Sequence, residues 1–153
     1  MVFEIKSDAF ENGGIIPAEY TCDGSDLSPH ITWLDVPDGT KSLALICDDT
    51  DAPAGTWVHW LLYNIPPEKG TLPEGISKST NLPGGMMQGT NDFRRWGYGG
   101  PCPPSGSAHH YYFKLYALDN RLNIGAGVLK KDVERAMKGH VIAETVLVGK
   151  YGR

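Results

Sequence analysis

The sequence lacks the features that mark several large protein classes. Its 153 residues carry a formal net charge of −4 at pH 7, so the excess of basic residues that accompanies binding to DNA or RNA is missing. No uninterrupted apolar run approaches the length of a bilayer span, and the first ten residues contain no basic segment followed by an apolar one. We therefore expect no nucleic-acid partner, no membrane span and no export signal.

Cysteine is also scarce. The three cysteines, Cys22, Cys47 and Cys102, are odd in number and widely spaced, unlike a disulfide framework or the paired cysteines of a zinc site. This usage is typical of a reducing compartment, and we predict a cytoplasmic protein. Cys47 ends the apolar run Leu-Ala-Leu-Ile-Cys, which favours a small buried hydrophobic residue over a reactive thiol.

The residues that are present indicate one globular domain, over residues 1–153, that is mainly β. Hydrophobic residues make up 41% and charged residues 21%, a composition that can bury a core without disulfides or metals. Glycine and proline separate the apolar runs singly and form no linker. One helix is predicted between Gly127 and Gly139 from its apolar spacing. Strands are predicted, from β-branched and aromatic residues, over residues 2–6, 41–47, 57–65, 111–118 and 142–150.

Alternation along residues 57–65 predicts which side chains share a face. It places His59 with Trp57 on one face and Val58 with Trp60 on the other. Both faces are largely apolar, which is typical of a central strand that is covered on both sides. We expect His59 and Tyr111 to point from neighbouring strands into one cavity.

The stretch of residues 66–106 is rich in glycine and proline and shows little periodicity. A long loop in a compact domain is usually functional or disordered, and the aromatic residues Phe93, Trp96 and Tyr98 favour an ordered one. Trp96, Tyr98 or Tyr112 would suit an anchor for a partner protein if exposed. The alternative is that these aromatic side chains form the core of the loop itself.

Two carboxylates, Asp49 and Asp51, follow an apolar strand directly and precede Pro53 and His59. Carboxylates two residues apart at a strand end can point to a common centre, and a nearby imidazole would let both stay ionised. In the alternative interpretation they accept backbone N–H groups in a turn. The residue pattern alone leaves both interpretations open.

A second cluster leads into the strand predicted over residues 111–118. Its glycines let the backbone come close to a ligand, whereas the three prolines within residues 101–104 have no N–H to donate. This cluster is then either the stiff rim of a pocket, with few hydrogen-bond donors, or only a rigid connection into the strand. His109 and His110 lie on opposite faces of that strand, so at most one of them faces a given pocket.

Together these residues resemble the two signature regions of the phosphatidylethanolamine-binding proteins, also called Raf kinase inhibitor proteins. The matching residues, in the family's order and spacing, are Asp49, Asp51, Pro53, His59, Trp60, Gly100, Pro101, Pro104, Gly106, His109, Tyr111 and Phe113. Residues 24–33 and 143–151 resemble the bacterial and archaeal branch, so the resemblance covers nearly the whole chain. Two positions depart from the family pattern, because Thr50 stands where proline is frequent and His110 stands where arginine is frequent.

The resemblance implies a β-sandwich-like fold of two antiparallel sheets with one or two short peripheral helices. It also implies a non-enzymatic protein with a small pocket for an anion, such as phosphate or a zwitterionic phospho-head-group. The residues it places around this pocket are Asp49, Asp51, Pro53, His59, Pro101, His109 and Tyr111. Regulation of a kinase or protease by binding and a homodimer are compatible with the resemblance, and it implies no cofactor, metal or catalytic residue.

The chemistry of the pocket residues suggests a division of roles. A phosphate monoester carries about −1.5 to −2 charges near pH 7, so carboxylates beside it need another task. We expect His59 and His109 to contact the anion, while Asp49 and Asp51 orient the imidazoles or receive an ammonium group. Binding should then tighten as the pH falls through the histidine range near ~6.5.

Two enzyme interpretations use the same residues. Two histidines and an aspartate could bind a metal for hydrolysis or oxygen chemistry, although the chain has no His-Glu-x-x-His motif. A Ser-His-Asp hydrolase using Ser105 or Ser107 with His109 lacks the Gly-x-Ser-x-Gly context. We predict binding rather than catalysis, with a metal-assisted hydrolase as the alternative.

Overall fold

The computed structural model describes residues 2–153, and that part of the chain contains nine β-strands and one α-helix. The strands are β1 (Glu4–Lys6), β2 (Gly14–Ile15), β3 (Ile31–Leu34), β4 (Ser42–Asp49), β5 (Trp57–Ile65), β6 (Thr71–Leu72), β7 (Met87–Gln88), β8 (His109–Leu118) and β9 (Val141–Tyr151), and the helix is α1 (Lys130–Met137). The predicted mainly β fold class is confirmed. Three single-turn 3-10 helices complete the regular structure of the described residues.

The strands form two sheets. The smaller sheet has three strands in the order β1-β3-β6, and the larger has six in the order β2-β9-β8-β4-β5-β7. All pairings are antiparallel except that of β2 with β9, which is parallel. The predicted two-sheet architecture is confirmed, with this parallel pair at one edge of an otherwise antiparallel sheet.

The five predicted strands are present as β1, β4, β5, β8 and β9, with ends that differ by no more than two residues from those predicted. The predicted helix is α1. Sequence reasoning missed β3, because four residues offer too few alternating positions to be recognised. The stretch of residues 66–106 contributes β6 to the smaller sheet and β7 to the larger one.

β4 lies inside the larger sheet and is buried along its whole length. On one face, Leu43 and Leu45 join the core between the two sheets. On the other face, Ile46 joins a second cluster that contains Val133 and Met137 of α1. Each fully buried aliphatic side chain stabilises the fold by about 1.5–3 kcal/mol. Because an isolated helix of eight residues is marginal in water, this packing is what stabilises α1.

A β-bulge interrupts the alternation of β5 at His59. Cys47 pairs with Trp60, but the next residue, Asp48, pairs with Val58, so His59 is the extra residue. Val58 therefore packs in the cluster under α1, whereas Trp60 packs in the core between the sheets. The expectation that Val58 and Trp60 share a face is wrong, because the bulge resets the alternation.

Cys22 and Cys102 form a disulfide bond, with their Cα atoms 5.4 Å apart. The interpretation that the cysteines are not a disulfide framework is therefore wrong for this pair. The two residues are 80 positions apart in the chain, so only the tertiary fold brings them together. Cys47 is buried and free, as predicted, and burial raises the pKa of its thiol well above the usual value.

Candidate functional site

The two signature clusters meet where β4 ends and where β5 and β8 begin. Asp49, the last residue of β4, pairs with Trp57 on one side and with Tyr111 on the other. β4 therefore lies between β5, which carries His59, and β8, which carries Tyr111. The expectation that these two strands are direct neighbours is wrong. The two rings nevertheless meet edge to face across β4, with centroids 5.1 Å apart.

These residues surround a cavity of about 310 Å³. It is lined by Asp49, Ala52, Pro53, Ala54, Trp57, His59, Phe93, Cys102, Pro103, Pro104, His109 and Tyr111. The predicted site residues among them are Asp49, Pro53, His59, His109 and Tyr111. Two predicted residues, Asp51 and Pro101, do not line the cavity. Most of the lining is apolar, so the few polar groups decide what can bind.

Asp49 holds the imidazole of His109 in a fixed orientation. Its Oδ2 lies 2.6 Å from His109 Nδ1, and both residues are buried. A carboxylate can only accept here, so Nδ1 carries the proton and Nε2 is left as the second nitrogen of the ring. Asp49 Oδ1 accepts the backbone N–H of Asp51 at 2.7 Å. Both oxygens are therefore engaged within the protein.

His59 is oriented in the same way by a backbone carbonyl. Its Nδ1 lies 2.6 Å from the carbonyl oxygen of Gly99, which makes Nδ1 the donor. Burial lowers the pKa of His59, and the hydrogen bond to Gly99 opposes this effect only in part. The ring is packed between those of Phe93 and Tyr111, so His59 is a rigid and mainly neutral group at pH 7.

Tyr111 and Trp57 supply two donors that have no acceptor among the described residues. The hydroxyl of Tyr111 and the indole Nε1 of Trp57 are buried and make no hydrogen bond. Burial, followed by the charge of Asp49, raises the pKa of Tyr111, so its hydroxyl keeps its proton. A buried donor without a partner costs about 1–3 kcal/mol. An acceptor bound in the cavity would remove that cost for a donor within its reach.

Asp51 and His110 form a separate pair outside the cavity. Asp51 Oδ2 accepts from the backbone N–H and from Nδ1 of His110, at 2.8 Å in each case. The side-chain hydrogen bond with His110 is the largest cause that lowers the pKa of Asp51. Of the adjacent histidines, only His109 reaches the cavity. The interpretation that the two carboxylates point to a common centre is therefore wrong, and each of them accepts a backbone N–H and binds a different imidazole.

The rim of the cavity comes from the segment that follows Gly100. Pro101, the first residue of the rim, is buried, and its carbonyl accepts the N–H of Cys22 at 3.1 Å. The residues that follow it, Cys102, Pro103 and Pro104, form the lining. Ser105 and Ser107, the serines of the hydrolase interpretation, are exposed and do not line the cavity.

Phe93 is a lining residue that sequence reasoning did not place in the site. It lies in a turn that Asn91 organises, since Asn91 Oδ1 accepts the N–H groups of Phe93 and Arg95. A Cβ on Gly99 would lie 2.6 Å from the Phe93 ring, so only glycine allows this approach. No sequence signal identifies Phe93. Trp57 could have been found, because it precedes His59 by two residues in a predicted strand.

Two further properties concern the whole described chain. Within residues 2–153, no three histidine, cysteine, aspartate or glutamate side chains come together as a group that could hold a metal ion. None of the helices formed by these residues is long and apolar enough to cross a bilayer.

Comparison with known proteins places the chain among relatives that match over its full length. The UPF0098 protein of Methanothermobacter thermautotrophicus is 51% identical over 149 residues, which are 97% of this chain and 98% of that protein. The UPF0098 protein of Aquifex aeolicus is 49% identical over 154 residues, which are 99% of this chain and 90% of that protein.

Two solved structures have the same fold as this chain. The Chlamydia trachomatis protein CT736, described as a phosphatidylethanolamine-binding protein homologue, has a TM-score of 0.91 and 39% identity. Escherichia coli YbcL, described as a member of the mammalian family of that name, has a TM-score of 0.91 and 34% identity. Each comparison covers 99% of this chain and 98% of the other. The model of the phosphatidylethanolamine-binding protein family matches residues 6–152. The chain belongs to the phosphatidylethanolamine-binding protein family.

Proposed function

We propose that the protein binds a small phosphate-bearing ligand, anionic or zwitterionic, in the cavity between Asp49, His59 and His109, and that it acts by binding rather than catalysis. The observation that carries this proposal is Tyr111, a residue that lines the cavity and whose buried hydroxyl has no acceptor among the described residues. Phosphate oxygens are strong acceptors, so they match this unsatisfied donor and the ring nitrogens beside it.

The two imidazoles are preorganised for such a ligand. Because Nδ1 of His59 and of His109 each carries a proton toward a protein acceptor, Nε2 is the nitrogen left to meet a ligand. A neutral Nε2 only accepts, so a phosphate oxygen needs a proton there, taken either from solution or from the ligand itself. Binding is thereby coupled to proton uptake, and the affinity for phosphate should rise as the pH falls.

The carboxylates of Asp49 and Asp51 do not contact the ligand directly in this proposal. Asp49 positions His109 and is fully engaged, and Asp51 lies outside the cavity. An ammonium group of a zwitterionic ligand would instead meet the aromatic faces of Trp57 and Phe93, which attract cations. A volume of about 310 Å³ lies at the lower end of the range for small-molecule sites, which suits a head group better than two acyl chains.

The decisive test removes one oxygen atom. Tyr111→Phe keeps the ring against His59 and deletes only the unpaired hydroxyl, so the folded protein should be as stable as the parent or more so. Its affinity for inorganic phosphate and for phosphoethanolamine, measured by calorimetry at pH 6, should fall about 10- to 100-fold, the value of one hydrogen bond to a charged group.

Tyr116→Phe is the matched control, because Tyr116 lies on the same strand but packs in the cluster under α1. It should bind phosphate like the parent. Equal phosphate affinity in Tyr111→Phe and the parent would contradict the proposed site.

Four properties remain predictions. They are regulation of a kinase or protease by binding, a homodimer, a single domain and a cytoplasmic location. Of the aromatic anchors considered for a partner, Tyr98 is buried and donates to the carbonyl of Tyr20, whereas Trp96 is exposed. Because Cys22 and Cys102 form a disulfide, the number and spacing of the cysteines no longer indicate a reducing compartment.

The alternative of an enzyme draws on one feature, the Asp49–His109 pair, which has the form of a general base with its orienting carboxylate. It has no nucleophile beside it, since the lining contains no serine and Cys102 is held in the disulfide. Release of phosphate from phosphate monoesters that depends on His109 would favour this alternative over binding.

A further inference from the structure

The rim of the cavity, residues 101–106, makes few backbone hydrogen bonds to the rest of the protein. Cys102, Pro103 and Pro104 of this rim line the cavity, so the position of the rim sets the shape of the pocket. Its three prolines have no N–H groups, which leaves little of the segment able to donate hydrogen bonds. A segment with so few backbone bonds depends on its remaining contacts.

Three main-chain groups of the rim are hydrogen-bonded to residues far away in the sequence. The carbonyl of Pro101 accepts from Cys22 N at 3.1 Å, and that of Pro103 accepts from Arg153 Nε at 2.8 Å. The N–H of Gly106 donates to the carbonyl of Arg153 at 3.1 Å. The rim is thus held by the loop that contains Cys22 and by the residues that follow β9.

The disulfide is the covalent part of this attachment, and solvent reaches it. Cys22 and Cys102 are both exposed residues, in contrast to the free and fully buried Cys47. Arg153 Nη2 lies 3.7 Å from Cys102 Sγ, where a guanidinium favours the thiolate form of that sulfur. A thiolate stabilised in this way is the better leaving group in thiol–disulfide exchange.

We propose that the Cys22–Cys102 disulfide is a redox-active site that controls the pocket, so that a small dithiol reductant loosens the rim and weakens ligand binding. In the first step a thiolate of the dithiol attacks Cys22 Sγ, forms a mixed disulfide with it, and breaks the bond to Cys102, which leaves as a thiolate. The second thiol of the reagent then displaces Cys22. Two electrons pass to the protein, the dithiol is oxidised to its own disulfide, and both cysteines end as thiols.

The effect on the ligand rests on the proposed function, whereas the effect on the rim does not. Coupling between a ligand site and a second site is reciprocal, so a ligand that prefers the closed rim must also protect the disulfide from reduction by the same factor. Typical couplings change affinity by about 5- to 150-fold. In a protein that stays folded after reduction, a disulfide that served only the stability of the fold would show no such reciprocity.

The first arm of the test measures the rim without any ligand. Amide hydrogen exchange of the full chain is compared before and after treatment with dithiothreitol. The N–H of Gly106 should exchange at least about tenfold faster after reduction, while the N–H groups of β4 should be unchanged and report that the fold is intact. Unchanged exchange at Gly106 would overturn the proposal.

The second arm measures the binding of inorganic phosphate by calorimetry to the oxidised and the reduced protein. Reduction should weaken binding about fivefold or more. Saturating phosphate should raise, by the same factor, the ratio of reduced to oxidised dithiothreitol at which half of the protein is reduced. Equal phosphate affinity in the two redox forms would overturn the control of the pocket. If the oxidised protein binds no phosphate, the proposed function fails, and the exchange arm still decides whether the disulfide controls the rim.

The double variant Cys22→Ser, Cys102→Ser is the matched control, since it keeps Cys47. It should match the reduced parent in both arms and no longer respond to dithiothreitol. A response that persisted would assign the effect to Cys47 and overturn the proposal. Glutathione can trap the first step as a mixed disulfide, which mass spectrometry then locates. We expect it on Cys22. A mixed disulfide on Cys102 instead would overturn the assigned direction of attack.

Discussion

Two carboxylate–histidine pairs lie at the same end of the larger sheet and differ mainly in burial. In the inner pair, Asp49 Oδ2 and His109 Nδ1 are 2.6 Å apart, and the side chains are 5% and 11% exposed. In the outer pair, Asp51 Oδ2 and His110 Nδ1 are 2.8 Å apart, and the side chains are 44% and 45% exposed. The histidines are neighbours in β8, so strand alternation alone sends one into the cavity and the other to the surface.

The same chemistry therefore has different consequences in the two places. Around the inner pair the effective dielectric constant is low, so loss of one partner leaves the other buried and unsatisfied. Around the outer pair, water and salt screen the charges, and exposed ion pairs contribute only about 0.2–1 kcal/mol. We infer that the inner pair matters for the fold and the ligand, and the outer pair for neither to a large extent.

Matched substitutions of the two acids should give the largest difference. Asp49→Asn removes the charge that orients His109 and presents an amide in its place. We expect a loss of about 3 kcal/mol in the free energy of unfolding, as for other broken buried pairs, together with at least a tenfold loss of phosphate affinity. Urea denaturation and calorimetry at pH 6 measure the two effects.

Asp51→Asn is the control, with an expected loss below about 1 kcal/mol and phosphate affinity within twofold of the parent. If both variants lost the same stability and affinity, burial would not distinguish the two pairs, and the placement of Asp49 in the pocket would be wrong.

A second prediction uses pH to separate the buried histidine from the exposed groups. Burial lowers the pKa of His59 in the folded protein, while an unfolded histidine titrates near ~6.5. Between these two values the unfolded chain binds more protons, so the stability contributed by a neutral His59 is present above ~6.5 and is lost as the pH falls below it. Urea unfolding at pH 7.5, 6.5 and 5.5 should show this decline.

His59→Gln should remove part of this pH dependence. Added phosphate should act in the opposite sense, stabilising the parent more at pH 5.5 than at pH 7.5, because the bound anion favours protonated imidazoles. Equal pH dependence in His59→Gln and the parent would contradict the assignment of a buried neutral imidazole.

How far the sequence predicts this site depends on whether a residue is placed by local or by tertiary geometry. Asp49 and Tyr111 follow as candidates from a strand end and from alternation, both of which are local rules, while the choice of His109 over His110 follows from the family resemblance. Phe93 does not, because the turn around Asn91 brings it to the cavity from a segment without periodicity.

The disulfide between Cys22 and Cys102 was likewise beyond prediction, since spacing along the chain does not give distance in space. The bulge at His59 shows where alternation fails as a guide to the fold. Pure alternation predicts the correct strand but wrongly places Trp60 on the face of Val58. One extra residue reverses the positions that follow it, until a second register shift between Leu62 and Ile65 reverses them again.

The smallest expected effect comes from the outer pair, at the position where the family often has arginine. His110→Arg would place beside Asp51 a guanidinium, which stays charged at every pH, whereas an imidazole in water is mostly neutral above ~6.5. Above pH 7.5 the variant should gain up to about 0.5 kcal/mol in the free energy of unfolding, the value of an exposed ion pair, and near pH 5.5 it should match the parent. Phosphate affinity should stay within twofold, since the side chain lies outside the cavity. A larger change in affinity would mean that the outer face contributes to the ligand site, and the division between the two pairs would have to be abandoned.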